Sequence, residues 1–484
     1  MNQQLRRLFI VILVMFAFLG LAATNSHFFQ APSLNADGRN ERTILHAAET
    51  DRGPIIVNGT AIASSSKMED SQRFQRSYAN GPLYAPITGY SSPAFSQATG
   101  LEAAAESVLD GQAQALLAQR LRNLFSGANR QGGGLVLTID PAIQEAGAAG
   151  LGERKGAVVA LDAKTGAVLA LYSSPSYDPN ALAAFDTAVV EEAHRALLED
   201  ANDPLVNRAI GGNRYAPGSA FKILTSVALL ENGVANPDTP LDSPVSTLLP
   251  NTETSVSNIE SQTCGDGQPT LSEAFARSCN TSFVIASQSL THEQLADVAT
   301  RFGFGSAESI PLPVTPSVFP EQTDAAQLAM SSIGQFSVQV TPMQMARVAQ
   351  AIANKGTLMR PYLISQVVDA DLVVRSQTSP VSAGQAVTPE IAQSITEMMK
   401  GVVSAPYGTG QSMAMGNIQV AAKTGTAETG IGGKANAWAV GFAPADDPQI
   451  AFAVIVEGDD ADPAPHGGDV AGPIARSLLE AGLR

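Results

Sequence analysis

The chain has 484 residues, of which 44% are hydrophobic, and it contains 42 Gly and 29 Pro. This composition is typical of a globular protein rather than a disordered one. The length exceeds what a single hydrophobic core usually organises, so we expect two folded domains. The formal net charge of −16 argues against the basic surface that nucleic-acid binding requires, so we expect no nucleic-acid partner.

The N-terminal segment contains an uninterrupted apolar run, Leu8 to Ala23, preceded by Arg6 and Arg7. Positive charge on this side predicts that the N-terminus lies in the cytoplasm and the rest of the chain outside the membrane. The run is short for a membrane span and long for the apolar core of a signal peptide, so both alternatives stay open. Gly20-Leu21-Ala22 is a possible cleavage site. We favour an uncleaved anchor within residues 1–35.

Residues 36–150 are predicted to form a smaller domain. Two extended runs flank Asn58-Gly59 and predict a tight β-hairpin over residues 54–63. Residues 101–125 have a helical pattern. Gly132-Gly133-Gly134 then interrupts the chain, and we interpret this run as a hinge near a domain boundary.

Residues 151–484 are predicted to form the second domain. It opens with a strand–turn–strand unit around Asp162–Gly166, continues with helices and returns to strands at 418–427, 437–443 and 449–457. One helix is expected to start at Thr341, with Gln344 completing a capping box, and to stop at Gly356. Strands at both sequence ends predict an α/β fold of the α+β type, in which N- and C-terminal pieces close one sheet and helices pack on it.

The two cysteines, Cys264 and Cys279, lie in one short stretch. If the chain is exported, an oxidising compartment allows such a pair to close. The alternative is two unrelated, small, buried residues. We favour a disulfide.

Ser219 and Lys222 form the first candidate catalytic pair. Pro217-Gly218 sets a turn that starts an apolar helix, which places Ser219 in its first turn and Lys222 on the same face. A serine hydroxyl is a poor nucleophile unless a base lies beside it, and a neutral lysine amine can serve as that base. A second S-x-x-K match, Ser64–Lys67, has no apolar helix behind it, and we interpret it as a solvated surface turn.

Lys423-Thr424-Gly425-Thr426 lies inside an extended stretch, and its polar residues are expected to face outward from the strand. A second K-T-G match, Lys164–Gly166, occupies a turn between two strands, where glycine supplies positive φ. We therefore assign Lys423 to the site and Lys164 to the turn.

Ser278-Cys279-Asn280 is the third candidate element, and it follows a helical stretch. The non-functional alternative is that this segment is simply a polar helix end. Ser33-Leu34-Asn35 matches the same S-x-N pattern by chance. The ordered set is hard to attribute to chance: S-x-x-K at a helix start, then S-x-N, then K-T-G on a strand. Since the sequence contains no H-E-x-x-H, C-x-x-C, P-loop or G-x-S-x-G pattern, we expect no metal, no diffusible cofactor and no Ser–His–Asp triad.

This ordered set resembles the signature of penicillin-recognising acyl-serine enzymes. The chain is most similar to class B penicillin-binding proteins, in particular the compact type called penicillin-binding protein A, over nearly its whole length. It departs from the family pattern at Ala216, where a second proline is common, and at Ala220, where threonine is common; neither should carry chemistry. Other segments that support the resemblance are Arg52-Gly53, Gly81–Gly89, Gly156–Asn180, Asn207–Ala209 and Asn436–Trp438.

The resemblance implies a membrane-anchored peptidoglycan D,D-transpeptidase with a β-lactamase-like catalytic domain on a non-catalytic pedestal. Ser219 would form the acyl-enzyme and Lys222 would be its base. Ser278 would relay the proton to the leaving D-Ala, and Asn280 would hold Lys222 and the substrate amide. Lys423, with Thr424, Gly425 and Thr426, would bind the terminal carboxylate, and the N–H groups of Ser219 and Thr426 would form the oxyanion hole.

The implied partners are peptidoglycan stem peptides, β-lactam antibiotics, the cytoplasmic membrane and other proteins of cell-wall synthesis or division. Three alternatives stay open. A D,D-carboxypeptidase or β-lactamase would pass the acyl group to water, although the anchor and outer domain favour the transpeptidase. A β-lactam sensor would need a cytoplasmic output module, whereas about seven residues precede the apolar run. A pure scaffold would leave the three motifs unexplained.

Overall fold

The computed structural model describes residues 3–26, 30, 49–69, 71–117, 131–212, 214–258, 262–430 and 432–483. Its first element is the helix Gln3–Thr24, which has 22 residues and no buried side chain. By length and composition this helix could cross a membrane. The chance match Ser33-Leu34-Asn35 lies outside the described residues.

The N-terminal unit is built on a six-stranded sheet. The predicted hairpin is confirmed: Ile55–Val57 pairs antiparallel with Thr60–Lys67, and Asn58 and Gly59 take the positive φ values of 46° and 77° that a tight turn needs. Two strands from beyond residue 150 complete the sheet, so both halves of the sequence contribute to it. In spatial order its strands are Val374–Gln377, Ile364–Val368, Gly134–Leu137, Ile55–Val57, Thr60–Lys67 and Phe74–Tyr78.

Two expectations for this unit are wrong. The described part of residues 101–125 is not one helix, because the chain breaks at Ala105 and at Gly111, whose φ is 78°. Gly132 is not a hinge, because a Cβ there would lie 1.8 Å from the Leu109 carbonyl oxygen. The glycine is required by close backbone packing. The resulting short segments are Gly100–Ala104, Glu106–Leu109 and the 3₁₀ turn Gln114–Leu116.

The second sheet has five antiparallel strands and is built from both ends of residues 151–484, as predicted. Along each strand, alternate residues face two different cores: Val159 lies in one and its neighbour Val158 in the other. Because both faces are covered, the strands are almost continuously apolar. In spatial order they are Ala421–Glu428, Ala435–Ala443, Ile450–Glu457, Gly156–Asp162 and Val168–Ser174.

Helices cover both faces of this sheet. Pro342–Ala353 is buried along its whole length on one face, and Pro141–Leu151 and Gly472–Gly482 pack on the other. The molecule therefore has the predicted α+β architecture. The remaining described α-helices are Gly81–Thr88, Thr187–Glu199, Lys222–Glu231, Leu271–Ala276, Asn280–Ser287, His292–Arg301, Ala325–Ser332 and Pro389–Ser404. Short two-stranded ribbons pair Ser91–Ser92 with Gln97–Ala98, Ser246–Leu248 with Ser255–Ser257, Glu308–Ser309 with Pro313–Val314, and Thr357–Met359 with Ser382–Gln385.

The start of the long buried helix is as predicted, but its capping differs. Thr341 Oγ1 accepts a hydrogen bond from the Gln344 backbone N–H at 3.2 Å. The Gln344 side chain does not return to Thr341; it donates to the Phe302 carbonyl oxygen at 2.7 Å. The Thr341 backbone N–H, which a capping box would direct to the Gln344 side-chain oxygen, donates instead to Ser317 Oγ at 3.1 Å.

Candidate active site

Ser219 lies at the start of the helix Lys222–Glu231, as predicted. The residues Gly218–Phe221 form a 3₁₀ turn that runs directly into this helix. Gly218 has a φ of 52°, and a Cβ on it would lie 2.7 Å from the Thr426 carbonyl oxygen. Glycine at this position therefore allows the turn to pack against the K-T-G strand, Ala421–Glu428. Ser219 keeps 9% of its surface exposed.

Lys222 is fully buried one turn after Ser219. Its Nζ donates to the Ser278 carbonyl oxygen at 2.7 Å and to Asn280 Oδ1 at 2.8 Å. Burial, followed by the nearby charge of Lys423, holds the pKa of Lys222 well below its usual range. The side chain is thus a candidate general base, because it is neutral at a pH where an exposed lysine is charged.

The Ser278 hydroxyl lies between the two buried lysines. Lys423 Nζ donates to Ser278 Oγ at 2.9 Å, and Lys222 Nζ lies 3.5 Å from the same oxygen. Ser278 has a φ of 62°, an unusual conformation for a serine, and Asn280 begins the helix that follows. The fold therefore brings the S-x-x-K, S-x-N and K-T-G motifs together from three separate parts of the chain.

The polar residues of the K-T-G strand face the site and not the solvent. The expectation of an outward-facing row is wrong for Lys423 and Thr424, which are 0% and 5% exposed: the Lys423 side chain contacts the middle motif at Ser278, and the Thr424 side chain contacts Thr409. Burial lowers the pKa of Lys423 to about 7. The Thr424 hydroxyl is hydrogen-bonded to the Thr409 hydroxyl at 2.6 Å, whereas Thr426 is partly exposed.

The three motifs open into a cleft of about 830 Å³. Motif residues on its wall are Ser219, Ser278, Asn280, Thr424, Gly425 and Thr426. The cleft is therefore lined by the candidate nucleophile Ser219, by hydroxyl and amide groups and by a strand edge. These groups suit an extended peptide substrate with a carboxylate.

The two chance matches lie away from this cleft. Ser64–Lys67 is part of an exposed strand, not the turn we expected, because it pairs with Phe74–Tyr78. Lys164 does occupy a turn, where it is exposed and paired with Asp447 at 2.8 Å.

Comparison with known proteins agrees with the family resemblance that the three motifs indicate. The family description "Penicillin binding protein transpeptidase domain" matches residues 156–480, and "Penicillin binding protein A dimerisation domain" matches residues 52–135. The chain belongs to the penicillin-binding transpeptidase family. It is 41% identical to the peptidoglycan D,D-transpeptidase PbpA of Mycolicibacterium smegmatis, over 100% of this chain and 99% of the relative. It is 39% identical, with the same coverage, to PbpA of Mycobacterium tuberculosis.

Solved structures of the family agree with the architecture. The ceftriaxone acyl-enzyme complex of penicillin-binding protein A from M. tuberculosis superposes with a TM-score of 0.86 at 38% identity, over 91% of this chain and 100% of that one. The penicillin G acyl-enzyme complex of the same protein superposes with a TM-score of 0.84 at 39% identity, over 90% of this chain and 100% of that one.

Several cleft residues in this penicillin-binding fold were not identified from the sequence. Asn258 and Thr409 come from loops between ordinary elements, and no motif marks them. The segment around Gly467 carries one weak sequence signal of a close backbone contact, the adjacent glycines Gly467 and Gly468. A Cβ on Gly467 would lie 2.3 Å from the Trp438 carbonyl oxygen, so this segment crosses the sheet edge in close contact.

Cys264 and Cys279 form a disulfide in the structure, with 5.9 Å between their Cα atoms. Since Cys279 lies between Ser278 and Asn280, the bond ties the middle motif to the segment before it. The two cysteines are 15 positions apart, and closing a loop of that size stabilises the fold by about 3 kcal/mol in the chain-entropy model.

Replacing Cys264 by serine should therefore slow acylation by a labelled penicillin more than the fall in melting temperature accounts for. Non-reducing peptide mapping of the exported protein comes first, and two free thiols would contradict the premise. A Cys264→Ser enzyme that acylates at the wild-type rate would make the bond purely structural.

Proposed function

We propose that this chain is a peptidoglycan D,D-transpeptidase that cross-links stem peptides through an acyl-enzyme on Ser219, and that β-lactams inhibit it by acylating the same residue. The observation that carries the proposal is the buried Lys222, held beside the nucleophile turn by Ser278 and Asn280. The full-length identity to proteins named peptidoglycan D,D-transpeptidases supports the substrate class.

In the first step, neutral Lys222 takes the hydroxyl proton of Ser219 as its oxygen attacks the carbonyl of the penultimate D-Ala. The carbonyl oxygen becomes an oxyanion, which the backbone N–H groups of Ser219 and Thr426 would stabilise. Both residues line the same cleft, which supports this arrangement.

In the second step, the tetrahedral intermediate collapses and the C–N bond to the terminal D-Ala breaks. The proton on Lys222 passes through the Ser278 hydroxyl to the leaving nitrogen. The distance of 3.5 Å between Lys222 Nζ and Ser278 Oγ supports this relay after a small movement. Asn280, which already bonds Lys222, would also hold the substrate amide.

The substrate carboxylate would be bound by Lys423, Thr424 and Thr426, with the Gly425 backbone on the same wall. An anion favours the protonated form of a nearby lysine, so carboxylate binding would raise the pKa of Lys423 above its free-enzyme value of about 7. The positive charge would thus be present when substrate is bound.

The acyl group then passes to an acceptor amine, and this step separates a transpeptidase from a carboxypeptidase or β-lactamase. The test is to incubate the purified protein with a D-Ala-D-Ala-like thioester, with and without a D-amino acid. Mass spectrometry should detect an acyl-enzyme on Ser219 and more aminolysis product than hydrolysis product. Hydrolysis alone, unchanged by added amine, would identify the alternative; no acyl-enzyme would contradict the proposal.

We also propose that Gln3–Thr24 is an uncleaved single-pass anchor with the catalytic domain outside the cytoplasm. The basic residues Arg6 and Arg7 before the apolar run support this orientation. The mature protein should fractionate with membranes and keep its N-terminal sequence. A soluble product that starts near Ala23 would instead indicate a cleaved signal.

For the domains we propose an anchor within residues 1–35, a pedestal over 36–150 and a catalytic domain over 151–484. The two family matches, at 52–135 and 156–480, support a division between residues 135 and 156, and the strands Ile364–Val368 and Val374–Gln377 extend the pedestal sheet from the catalytic part of the sequence. The pedestal is the proposed contact for other proteins of cell-wall synthesis or division. In-cell cross-linking from exposed pedestal positions should capture such proteins, and cross-links confined to the catalytic domain would contradict it.

A further inference from the structure

Asn258 belongs to none of the three motifs, yet it caps the helix Asn280–Ser287. The residue before this helix, Cys279, offers no side-chain hydrogen bond, and the first N–H groups of any helix lack an intrahelical partner. Asn258 Oδ1 accepts from the backbone N–H of Asn280 at 2.9 Å and of Thr281 at 3.0 Å, and from Thr281 Oγ1 at 3.1 Å. The Asn258 side chain, 22 residues away from Asn280 in sequence, thus satisfies the helix N–H groups that an N-cap residue would satisfy.

The other end of the Asn258 amide is also fixed. Its Nδ2 donates to the carbonyl oxygens of Pro244 at 3.0 Å and Gln262 at 3.3 Å, and only 7% of the residue is exposed. With its nitrogen held by two carbonyls, the amide oxygen is directed at the helix start. Asn258 is therefore rigid enough to position what it holds.

The neighbouring Ser257 orients the Asn280 side chain itself. Asn280 Nδ2 donates to the Ser257 carbonyl oxygen at 3.1 Å, and this leaves Oδ1 to accept from Lys222 Nζ at 2.8 Å. If the amide were rotated by half a turn, its NH₂ group would face Lys222 and could not accept a hydrogen bond. The 257–258 segment thus fixes both the position and the orientation of Asn280.

The consequence for Lys222 follows from the valence of a neutral amine. Its nitrogen has two N–H bonds and one lone pair, and the two N–H groups have acceptors in the Ser278 carbonyl oxygen and Asn280 Oδ1. Lys222 lies one turn after Ser219, so the remaining lone pair can take the Ser219 proton, with Ser278 Oγ at 3.5 Å as the other hydroxyl group in reach. We propose that Asn258 is a positioning residue for acylation, which holds Asn280 so that Lys222 directs its lone pair to the nucleophile. This inference rests on the proposed acyl-serine function.

The test compares acylation by a labelled penicillin in the wild type and in Asn258→Ala, together with the melting temperature of each. Misplacing a catalytic group by about 1 Å costs roughly 10²-fold, so Asn258→Ala should lower the acylation rate constant by about 10- to 100-fold per folded molecule. Asn258→Asp keeps an acceptor oxygen at the helix start but replaces the NH₂ donor with an oxygen that faces the carbonyl oxygens of Pro244 and Gln262, so it should also slow acylation.

Asn180→Ala is the matched control. Asn180 also clamps a distant backbone, accepting from Tyr78 N–H at 2.9 Å and donating to the Tyr78 carbonyl oxygen at 3.0 Å, but it lies outside the cleft. This variant should lose stability without losing acylation rate. Should Asn258→Ala not fold, Asn258→Ser takes its place, because the shorter side chain loses reach to the helix start; the same direction of change is expected.

A double mutant separates positioning from general destabilisation. In an Asn280→Ala background, adding Asn258→Ala should slow acylation by less than about three-fold, because the residue through which Asn258 acts is already gone. Fully additive losses, or a wild-type rate in Asn258→Ala or its Ser replacement, would overturn the inference. If the wild-type protein itself is not acylated, the proposed function fails instead.

Discussion

Ser219→Ala should abolish covalent labelling by penicillin. The acyl bond forms on the Ser219 oxygen, and alanine offers no atom to carry it. The expected result is an unchanged protein mass after incubation with a labelled penicillin, whereas the wild type gains the mass of one acyl group. Because Ser219 makes up part of the cleft wall and is small, the variant should stay folded.

The chance matches in the same chain provide the controls. Ser64 lies on an exposed strand and Lys164 in an exposed turn. Ser64→Ala and Lys164→Ala should therefore label like the wild type. A natively folded Ser64→Ala protein that no longer labels, or a Ser219→Ala protein that still does, would refute the assignment of the nucleophile.

Lys222→Ala should slow acylation by about 10³- to 10⁴-fold, since proton removal and nucleophile activation are lost together. Lys222→Arg should not restore the rate, because a guanidinium group stays protonated and cannot act as a base. Rates of penicillin acylation under single-turnover conditions test both variants. An arginine variant that acylates near the wild-type rate would contradict the role of Lys222.

The rate of acylation should depend on pH in a definite direction. Burial and then the charge of Lys423 lower the pKa of Lys222, so the free amine exists over a wider range than for an exposed lysine. The rate of acylation should be constant at pH values above this lowered pKa. It should fall as the pH drops through the pKa, because the base becomes protonated. The acidic limb of the rate profile should disappear in Lys222→Ala, whose residual rate no longer depends on this group.

The residues that meet at the candidate site were largely predictable because they belong to short motifs. Ser219 and Lys222 are one helical turn apart, so a single local element brings them to one face. The contexts of Lys423 and Lys164, one in a strand and one in a turn, distinguished the motif whose strand lines the cleft from the copy that lies away from it. The hairpin at Asn58-Gly59 was equally local, because two residues with positive φ define it.

Predictions that depended on packing were less successful. The Gly132 segment looked like a hinge because glycine is flexible in isolation; in the fold it is the residue that lets two backbones touch. Residues 101–125 looked like one helix because their periodicity is helical, but Gly111 and a break at Ala105 divide the described part.

By itself, then, the sequence determined the apolar N-terminal segment, the α+β order of elements, and the three motifs with the residue types that acyl transfer needs. Only the tertiary structure decided that Lys423 and Thr424 are buried, since the residues that contact their side chains, Ser278 and Thr409, come from other parts of the chain. It alone also assigned Asn258 to the Asn280 helix and Thr409 to Thr424. Those contacts join residues far apart in sequence, and side-chain hydrogen bonds between distant segments leave no periodic or local signal to read.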